Sequence, residues 1–102
     1  MNVVYKHRAV VDLQQTQEYI ETKLGNPQAA RKLIESILHA VSLLRENPAM
    51  GISLESKFGI ESSVRFFVVA KQLVFYEITD EDTLTVLRVL DGRQDYLSIL
   101  FG

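Results

Sequence analysis

Four residues in the second half of the chain have side chains that could act on a phosphate backbone: Lys57, Arg65, Arg93 and Tyr96. Arg65 and Arg93 lie near the ends of predicted strands, and Lys57 lies upstream of both. Three cations on one rim of a sheet could bind phosphate oxygens through charge-assisted hydrogen bonds. Tyr96 could donate a proton or stack on a base beside Arg93. A phosphate-binding rim is therefore one hypothesis for the site.

Each of these residues also has a simpler interpretation. The cations could form surface ion pairs with the nearby Glu61, Asp91 and Asp95, and Tyr96 could be a core aromatic in an apolar tail. The chain has no cysteine and only two histidines, and it lacks the GxSxG, HExxH and glycine-rich phosphate-loop motifs. We therefore expect no metal or other cofactor, and an enzyme would have to use the remaining residues.

Composition indicates one small globular domain spanning residues 1–102. The net charge of -2 and the pI near 5.6 give no broad cationic field that would attract nucleic acid from a distance. The sequence opens with no signal-peptide pattern and contains no apolar run of roughly twenty residues that could span a bilayer. We therefore expect a cytoplasmic protein that is not bound to a membrane.

Three closely spaced strands are predicted in the last third of the chain, at residues 64–70, 73–78 and 83–90, which are rich in β-branched and aromatic residues. The very short connections favour antiparallel hairpins. Successive side chains of a strand point to opposite faces of the sheet, and in the first of these strands both faces are largely apolar. The sheet therefore needs cover on both sides, and helices from earlier in the chain can supply one of them.

The first half of the chain predicts a strand followed by a helical hairpin. Residues 2–6 alternate like a short strand, and helical spacing follows, with Asp12 placed where a negative charge suits the N-terminal dipole. Gly25 ends this helix, and Asn26 with Pro27 starts the next one. The second helix carries a sustained apolar stripe: Ala30, Leu33, Ile34, Ile37, Val41 and Leu44.

The remaining segments are a connection and a tail. Residues 48–63 have no clear period and predict a long irregular loop. Residues 93–102 form a tail that is too apolar to remain free, so it packs on the sheet or binds a partner. The predicted fold is α+β in the order β-α-α-β-β-β, with a small antiparallel sheet packed on an N-terminal helical hairpin.

Short motifs in this order resemble the RelE/ParE superfamily of bacterial type II toxin-antitoxin toxins over essentially the whole chain. The matching positions are Ala9, Asp12, Leu13, Tyr19, Ile20, Gly25, Ala29, Ala30, Leu44, Pro48, Gly51, Arg65, residues 74–78 and residues 89–95. The resemblance implies a growth-inhibiting toxin that a cognate antitoxin neutralises by wrapping its sheet and helices with a partly disordered segment, in a toxin-antitoxin hetero-oligomer. It also implies one of two activities: messenger RNA cleavage in the ribosome for RelE-like members, or inhibition of DNA gyrase for ParE-like members.

The matching positions favour the ParE-like activity. Arg65 and Arg93 stand where RelE-like nucleases place phosphate-binding arginines, but Asp91 replaces the histidine of the closing motif. Ile99 falls near the late acid/base position, and Tyr96 comes one turn early. RNA cleavage by 2'-hydroxyl attack needs a proton acceptor and a proton donor. We therefore expect inhibition by binding, with a RelE-like endoribonuclease or an inactive toxin-like binding protein as the alternatives.

The residues expected to contact the antitoxin are apolar positions of the sheet and the tail. They are Phe67, Val69, Leu97, Leu100 and Phe101.

Overall fold

The computed structural model describes all 102 residues, which form one mixed sheet with helices on both of its faces. The elements in chain order are β1 (Asn2–Tyr5), α1 (His7–Thr22), α2 (Pro27–Leu43), β2 (Ile52–Ser53), α3 (Leu54–Phe58), β3 (Arg65–Val69), β4 (Gln72–Asp80), β5 (Thr83–Asp91) and α4 (Tyr96–Phe101). The α+β class, the helical hairpin and the three-stranded meander predicted from the sequence are confirmed.

The strand order across the sheet is β1-β5-β4-β3-β2. The meander strands pair antiparallel, as predicted, but β1 pairs parallel to β5, with Asn2 opposite Thr83 and Tyr5 opposite Val86. The prediction of an antiparallel sheet therefore missed this one pairing. The parallel pairing is possible because all the elements from α1 to β4 lie between β1 and β5 in the chain. No short turn therefore forces these two strands to run in opposite directions.

The helical hairpin covers one face of the sheet, and the main core lies between them. α1 packs on β5, and α2 packs on α1. The buried residues of this core come from both helices, from the residue that follows α2, and from β4 and β5: Ala9, Ile37, Val41, Leu44, Val74, Tyr76, Leu84, Val86 and Val89. The apolar stripe of α2 is thus the inner face of the hairpin. No helix of the structure combines the length and the apolar character needed to cross a membrane.

The hairpin turns where the sequence places its stop and start signals. Gly25 has a positive φ of 61°, which a residue without a Cβ adopts at little cost. The side chain of Asn26 accepts a hydrogen bond from the Ala29 amide, and Pro27 is the first residue of α2. α1 ends at Thr22, so Leu24 lies outside the helix and is exposed.

The second face of the sheet is covered by the chain's own short helices. Leu54 of α3 is fully buried against Phe66, Leu73, Phe75 and Leu90. The prediction of an irregular loop at residues 48–63 was wrong for residues 52–58, which form β2 and α3. Single-turn helices are too short to show helical periodicity, so α3 has a weak sequence signal. Its local signal is Ser53, whose hydroxyl accepts a hydrogen bond from the Ser56 amide.

Candidate functional site

Arg65 lies at the start of β3, opposite Tyr76 of β4, and both side chains hold the loop that precedes β2. The Arg65 guanidinium donates to the Gly51 carbonyl at 2.8 Å. The Tyr76 hydroxyl accepts from the Gly51 amide at 2.9 Å and donates to the Pro48 carbonyl at 2.7 Å. Burial raises the pKa of Tyr76, which keeps its fully buried hydroxyl protonated. In this structure Arg65 and Tyr76 position a loop.

Arg93 lies just beyond β5 and is paired with Asp91. Its Nε and Nη2 donate to the two carboxylate oxygens at 2.9 and 2.7 Å, and its amide donates to Oδ1 at 2.8 Å. These bonds lower the pKa of Asp91 to about 2. The surface ion pair that the sequence offered as the simpler interpretation of Arg93 is therefore present.

The predicted convergence of Lys57, Arg65 and Arg93 on one rim is wrong. Arg65 is opposite Tyr76 of β4, whereas Asp91, which lies beside Arg93, is opposite Gln72 of β4. Tyr76 and Gln72 are four residues apart on this strand. That separation is about 13 Å along the strand. Lys57 belongs to α3, which covers the face opposite the helical hairpin, whereas the side chain of Arg65 alternates onto the hairpin face with Phe67 and Val69.

Tyr96 begins α4 and is part of the second core. Its ring centre lies 5.6 Å from that of Phe75 and 6.3 Å from that of Phe58. Lys57 lies beside the same cluster, with its ammonium 6.0 Å from the centre of the Phe58 ring. The packing interpretation of Tyr96 thus agrees with the structure.

A buried ion pair connects the helical hairpin to the sheet. Asp12 of α1 is only 8% exposed, and its two carboxylate oxygens accept hydrogen bonds from Arg88 Nε at 2.8 Å and Arg88 Nη2 at 2.9 Å. The Val89 amide donates to the same carboxylate at 2.9 Å. The sequence predicted that the charge of Asp12 serves the dipole of its own helix. In the structure its carboxylate instead bonds to Arg88 and Val89 of β5.

A concave surface lies beside this ion pair, between α1 and the turn that joins β3 to β4. We call it the α1 groove. Its volume is about 650 Å³, and its lining includes Tyr19, Leu24, Lys71, Gln72, Arg93 and Ile99. The groove thus combines apolar walls with cations and an amide, a composition typical of binding sites.

The five apolar residues predicted to bind an antitoxin lie on different faces of the protein. Phe67 and Val69 are half-buried against the core beneath the helical hairpin, and Leu100 packs on the second core. Leu97 and Phe101 line a smaller groove of about 350 Å³ with Ile60 and Ser98. Phe101 is the exposed member of the five.

Sequence reasoning missed Asp12, Gln72 and Arg88 as residues of this region. A signal for Asp12 was available, because it follows buried Ala9 at helical spacing and precedes half-buried Leu13, so it lies on the inward face of α1. A carboxylate on that face needs a donor. Arg88 gave no such signal, since a single polar residue in a strand is ordinary, and Gln72 fell in the predicted connection between two strands.

The chain is similar to known toxins of type II toxin-antitoxin systems. The family model described as the ParE toxin of the type II toxin-antitoxin system, parDE, matches residues 3–96. A search among curated proteins finds no match. Among solved structures, the chain is similar to one described as the chromosomal ParDE toxin-antitoxin system from P. aeruginosa. The TM-score is 0.72 at 18% identity, over 89% of this chain and 95% of the other.

A second solved structure shares the fold at lower similarity. It is the crystal structure of a YafQ mutant from E. coli, with a TM-score of 0.51 at 16% identity, over 99% of this chain and 98% of the other. At these identities the structural likeness concerns the fold alone.

Proposed function

The chain belongs to the ParE toxin family of type II toxin-antitoxin systems, and from this premise we propose that it inhibits growth by binding DNA gyrase in the cytoplasm. The proposal includes neutralisation by a cognate antitoxin in a toxin-antitoxin complex. It treats the protein as an inhibitor that binds its target and breaks no bond in it.

The observation that carries the proposal is the separation of the groups a nuclease would need. Arg65 and Arg93 lie at different ends of the strands, and Arg93 is already neutralised by Asp91. The hydroxyl of Tyr76, which is opposite Arg65 and contacts the same loop, is buried and engaged in two hydrogen bonds. Phosphoryl transfer depends on a proton acceptor, a donor and cations held around one phosphate, so this arrangement favours binding over cleavage.

The direct test is a supercoiling assay with purified gyrase, in parallel with growth measurements after the chain is expressed without its antitoxin. We expect supercoiling to fail at toxin concentrations that stop growth, with translation still running when DNA damage signalling begins. Unimpaired supercoiling at those concentrations would refute the gyrase target. No growth defect at all would favour the inactive binding protein.

The endoribonuclease alternative predicts codon-phased cuts in translated messages. We expect the double variant Arg65→Ala and Arg93→Ala to retain toxicity as long as it remains folded, which circular dichroism would check. Arg31→Ala on the exposed face of α2 is the matched control. Loss of toxicity in the folded double variant, together with message cleavage by the wild-type protein, would establish the nuclease instead.

For the antitoxin, we propose contacts with the groove that Leu97 and Phe101 form with Ile60. Phe101 is 51% exposed and belongs to a helix of only six residues. A partly disordered segment that folds on binding can cover such separate apolar patches. Leu100 is more enclosed and would contribute mainly by shaping this surface, whereas Phe67 and Val69 are enclosed on the hairpin face of the sheet and would contribute only at the sheet edge.

A further inference from the structure

We propose that the outer edge of β1 pairs with β1 of a second copy of this chain, so that the two molecules form one continuous sheet about a two-fold axis at Val4. The inference goes beyond the proposed function, because neither gyrase nor an antitoxin takes part in this contact. Three features of the edge support it: its free backbone groups, an exposed apolar side chain and opposite charges at its two ends.

The first feature is the row of backbone groups along the open side of β1. This strand is the last one of the sheet and has a neighbour, β5, on one side only. The Asn2 amide donates to the Asp82 carbonyl at 2.6 Å, on the side of β5. Backbone groups of successive residues in a strand point to opposite sides, so the N–H and C=O groups of Val3 and Tyr5 point away from the sheet.

The free groups of β1 match those of a second copy in an antiparallel arrangement. Val3 of one molecule then lies opposite Tyr5 of the other, and each such pair exchanges two hydrogen bonds. The two-fold axis makes two of these pairs and leaves no free group between them. β1 reads Asn-Val-Val-Tyr, without the charge or the proline with which proteins commonly protect an edge strand. The edge is therefore open to pairing with itself.

The second feature is the exposed side chain of Val4. Val3 and Tyr5 pack against the main core, so Val4 between them points to the other face of the sheet, where it is 49% exposed. The second core, which covers part of this face, does not include Val4. On the two-fold axis Val4 meets Val4 of the other molecule in a pair without mutual hydrogen bonds, the kind in which side chains approach most closely. The pairing thus buries an apolar side chain that one molecule leaves open.

The third feature is the opposite charge at the two ends of β1. Lys6 and Arg8 follow the strand, whereas the acidic run at residues 80–82 lies beside its first residue, Asn2. All of these charged side chains are exposed, and none of them belongs to an ion pair of the protein. Antiparallel pairing puts Lys6 of one molecule opposite Asn2 of the other. The basic end of each molecule therefore meets the acidic run of its partner, which is charge complementarity at both ends of the contact.

The start of α1 agrees with this arrangement. A helix N-terminus is stabilised by negative charge. The first turn of α1 has no acidic residue, and its N-cap, Lys6, makes no capping hydrogen bond with its side chain. The acidic run of the second molecule would supply a negative charge that the first turn of α1 does not contain.

The test measures self-association of the purified full-length chain by sedimentation, at concentrations up to about 500 μM, because small interfaces are weak. The edge variant is Val4→Lys. Its matched control is Ile52→Lys, which alters an equally exposed apolar residue, also 49% exposed, on β2 at the opposite edge of the sheet. Circular dichroism checks that each variant is folded.

A charge exchange separates contacts between molecules from contacts within one. The variants are Lys6→Glu and the double variant Lys6→Glu with Asp82→Lys. Asp82 lies beside Asn2, and Lys6 is four residues further along the chain, which is about 13 Å along a strand. These two side chains therefore do not pair within one molecule, and recovery of association in the double variant requires a second copy.

We expect the mass of the wild-type protein to rise with concentration from 11.6 kDa towards that of a dimer. Val4→Lys should raise the dissociation constant by about tenfold or more, and Ile52→Lys should leave it within about threefold of the wild-type value. Lys6→Glu should raise it by about fivefold, and the double variant should return to within about threefold of the wild type.

Three results would overturn the proposal. The first is a wild-type protein that stays monomeric over the whole concentration range. The second is a larger loss of association in Ile52→Lys than in Val4→Lys, which would assign the contact to the opposite edge. The third is full association of Lys6→Glu, or no recovery in the double variant, since either result contradicts the antiparallel arrangement. The toxicity of the chain does not enter these measurements, so they stand apart from the test of the gyrase proposal.

Discussion

Asp12 and Arg88 form a bidentate ion pair between the first helix and the last strand, with donor-acceptor distances of 2.8 and 2.9 Å. The pair lies where the edge of β5 would otherwise be open. β1 reaches only as far as the pairing of Tyr5 with Val86, and the chain then turns into α1. Asp12 also accepts a hydrogen bond from the Val89 amide, so one carboxylate both closes this edge and fixes α1 on the sheet.

We predict that Asp12→Ala lowers the free energy of unfolding by about 3 kcal/mol, because it leaves the mostly buried Arg88 guanidinium and the Val89 amide without an acceptor. Urea denaturation measures the change. The matched control is Glu18→Ala on the exposed side of the same helix, which should change stability by no more than about 0.5 kcal/mol. Equal effects of the two substitutions would show that the ion pair contributes no specific stability.

The sequence predicts the fold well where a segment is long and periodic. The stripe of α2 and the strands of the meander were recognisable, because their side chains repeat with the period of the element over several turns or residues. β2, α3 and α4 have two, five and six residues, too few for a period to emerge. Consequently the sequence showed that the second face of the sheet needed cover but did not show what covers it.

The candidate site was harder to predict, because it depends on strand register and on polar contacts between distant elements. The sequence placed Arg65 and Arg93 near strand ends correctly. Only the pairing of Arg65 with Tyr76 and of Asp91, beside Arg93, with Gln72 shows that these ends are different ones. The contact between Asp12 and Arg88 spans 76 residues of sequence. No local pattern encodes such a partner, although a carboxylate on the inner face of a helix predicts that one exists.

Tyr76 provides a second test of how polar contacts hold the fold. We predict that Tyr76→Phe lowers the free energy of unfolding by roughly 1 to 3 kcal/mol, because the Gly51 amide loses its acceptor and the Pro48 carbonyl loses its donor. Thermal or urea denaturation measures the loss. Tyr19→Phe, at an exposed tyrosine of α1, is the control and should change stability little. A neutral Tyr76→Phe would mean that solvent replaces these bonds.

The close packing around the Tyr76 hydroxyl gives a related prediction at Gly51. A Cβ at this position would lie 2.6 Å from the Tyr76 hydroxyl and 2.8 Å from the Phe66 carbonyl oxygen. We therefore expect Gly51→Ala to destabilise the protein, because the backbone oxygen cannot give way without moving β3. Gly59→Ala is an informative comparison, because a Cβ added at this position would meet no atom within 4 Å, whereas the backbone there has a φ of 69°. Any loss of stability in Gly59→Ala would therefore come from backbone strain alone.

The pair of Asp91 and Arg93 predicts a pH dependence. The pKa of Asp91 falls from its ordinary value of 3.8 to about 2 in the folded protein, mainly because Arg93 hydrogen-bonds to the carboxylate. A lowered carboxyl pKa stabilises the folded state above pH 3.8, and this contribution is lost as the pH falls towards 2. We expect Arg93→Gln to be less stable than the wild type at neutral pH and to match it in strong acid.

An NMR titration of the side-chain carboxyl of Asp91 tests the cause directly. Its midpoint should lie near 2 in the wild-type protein and should rise towards 3.8 in Arg93→Gln. Lys71→Gln is the control, because Lys71 is only the weakest of the charges that lower this pKa. An unchanged midpoint in Arg93→Gln would show that the hydrogen bonds between the two side chains do not persist in solution.

The turn at Ala70 and Lys71 predicts a substitution that stabilises the protein. Replacing it with Asn and Gly, in the double variant Ala70→Asn and Lys71→Gly, removes the cost of two side chains at positive φ. We expect the free energy of unfolding to rise by about 1 to 2 kcal/mol, measured by urea denaturation. Ala29→Gly, in the first turn of α2, is the control and should destabilise the protein, since glycine is favourable only where φ is positive. Unchanged stability of the double variant would show that the two positive φ angles carry no cost.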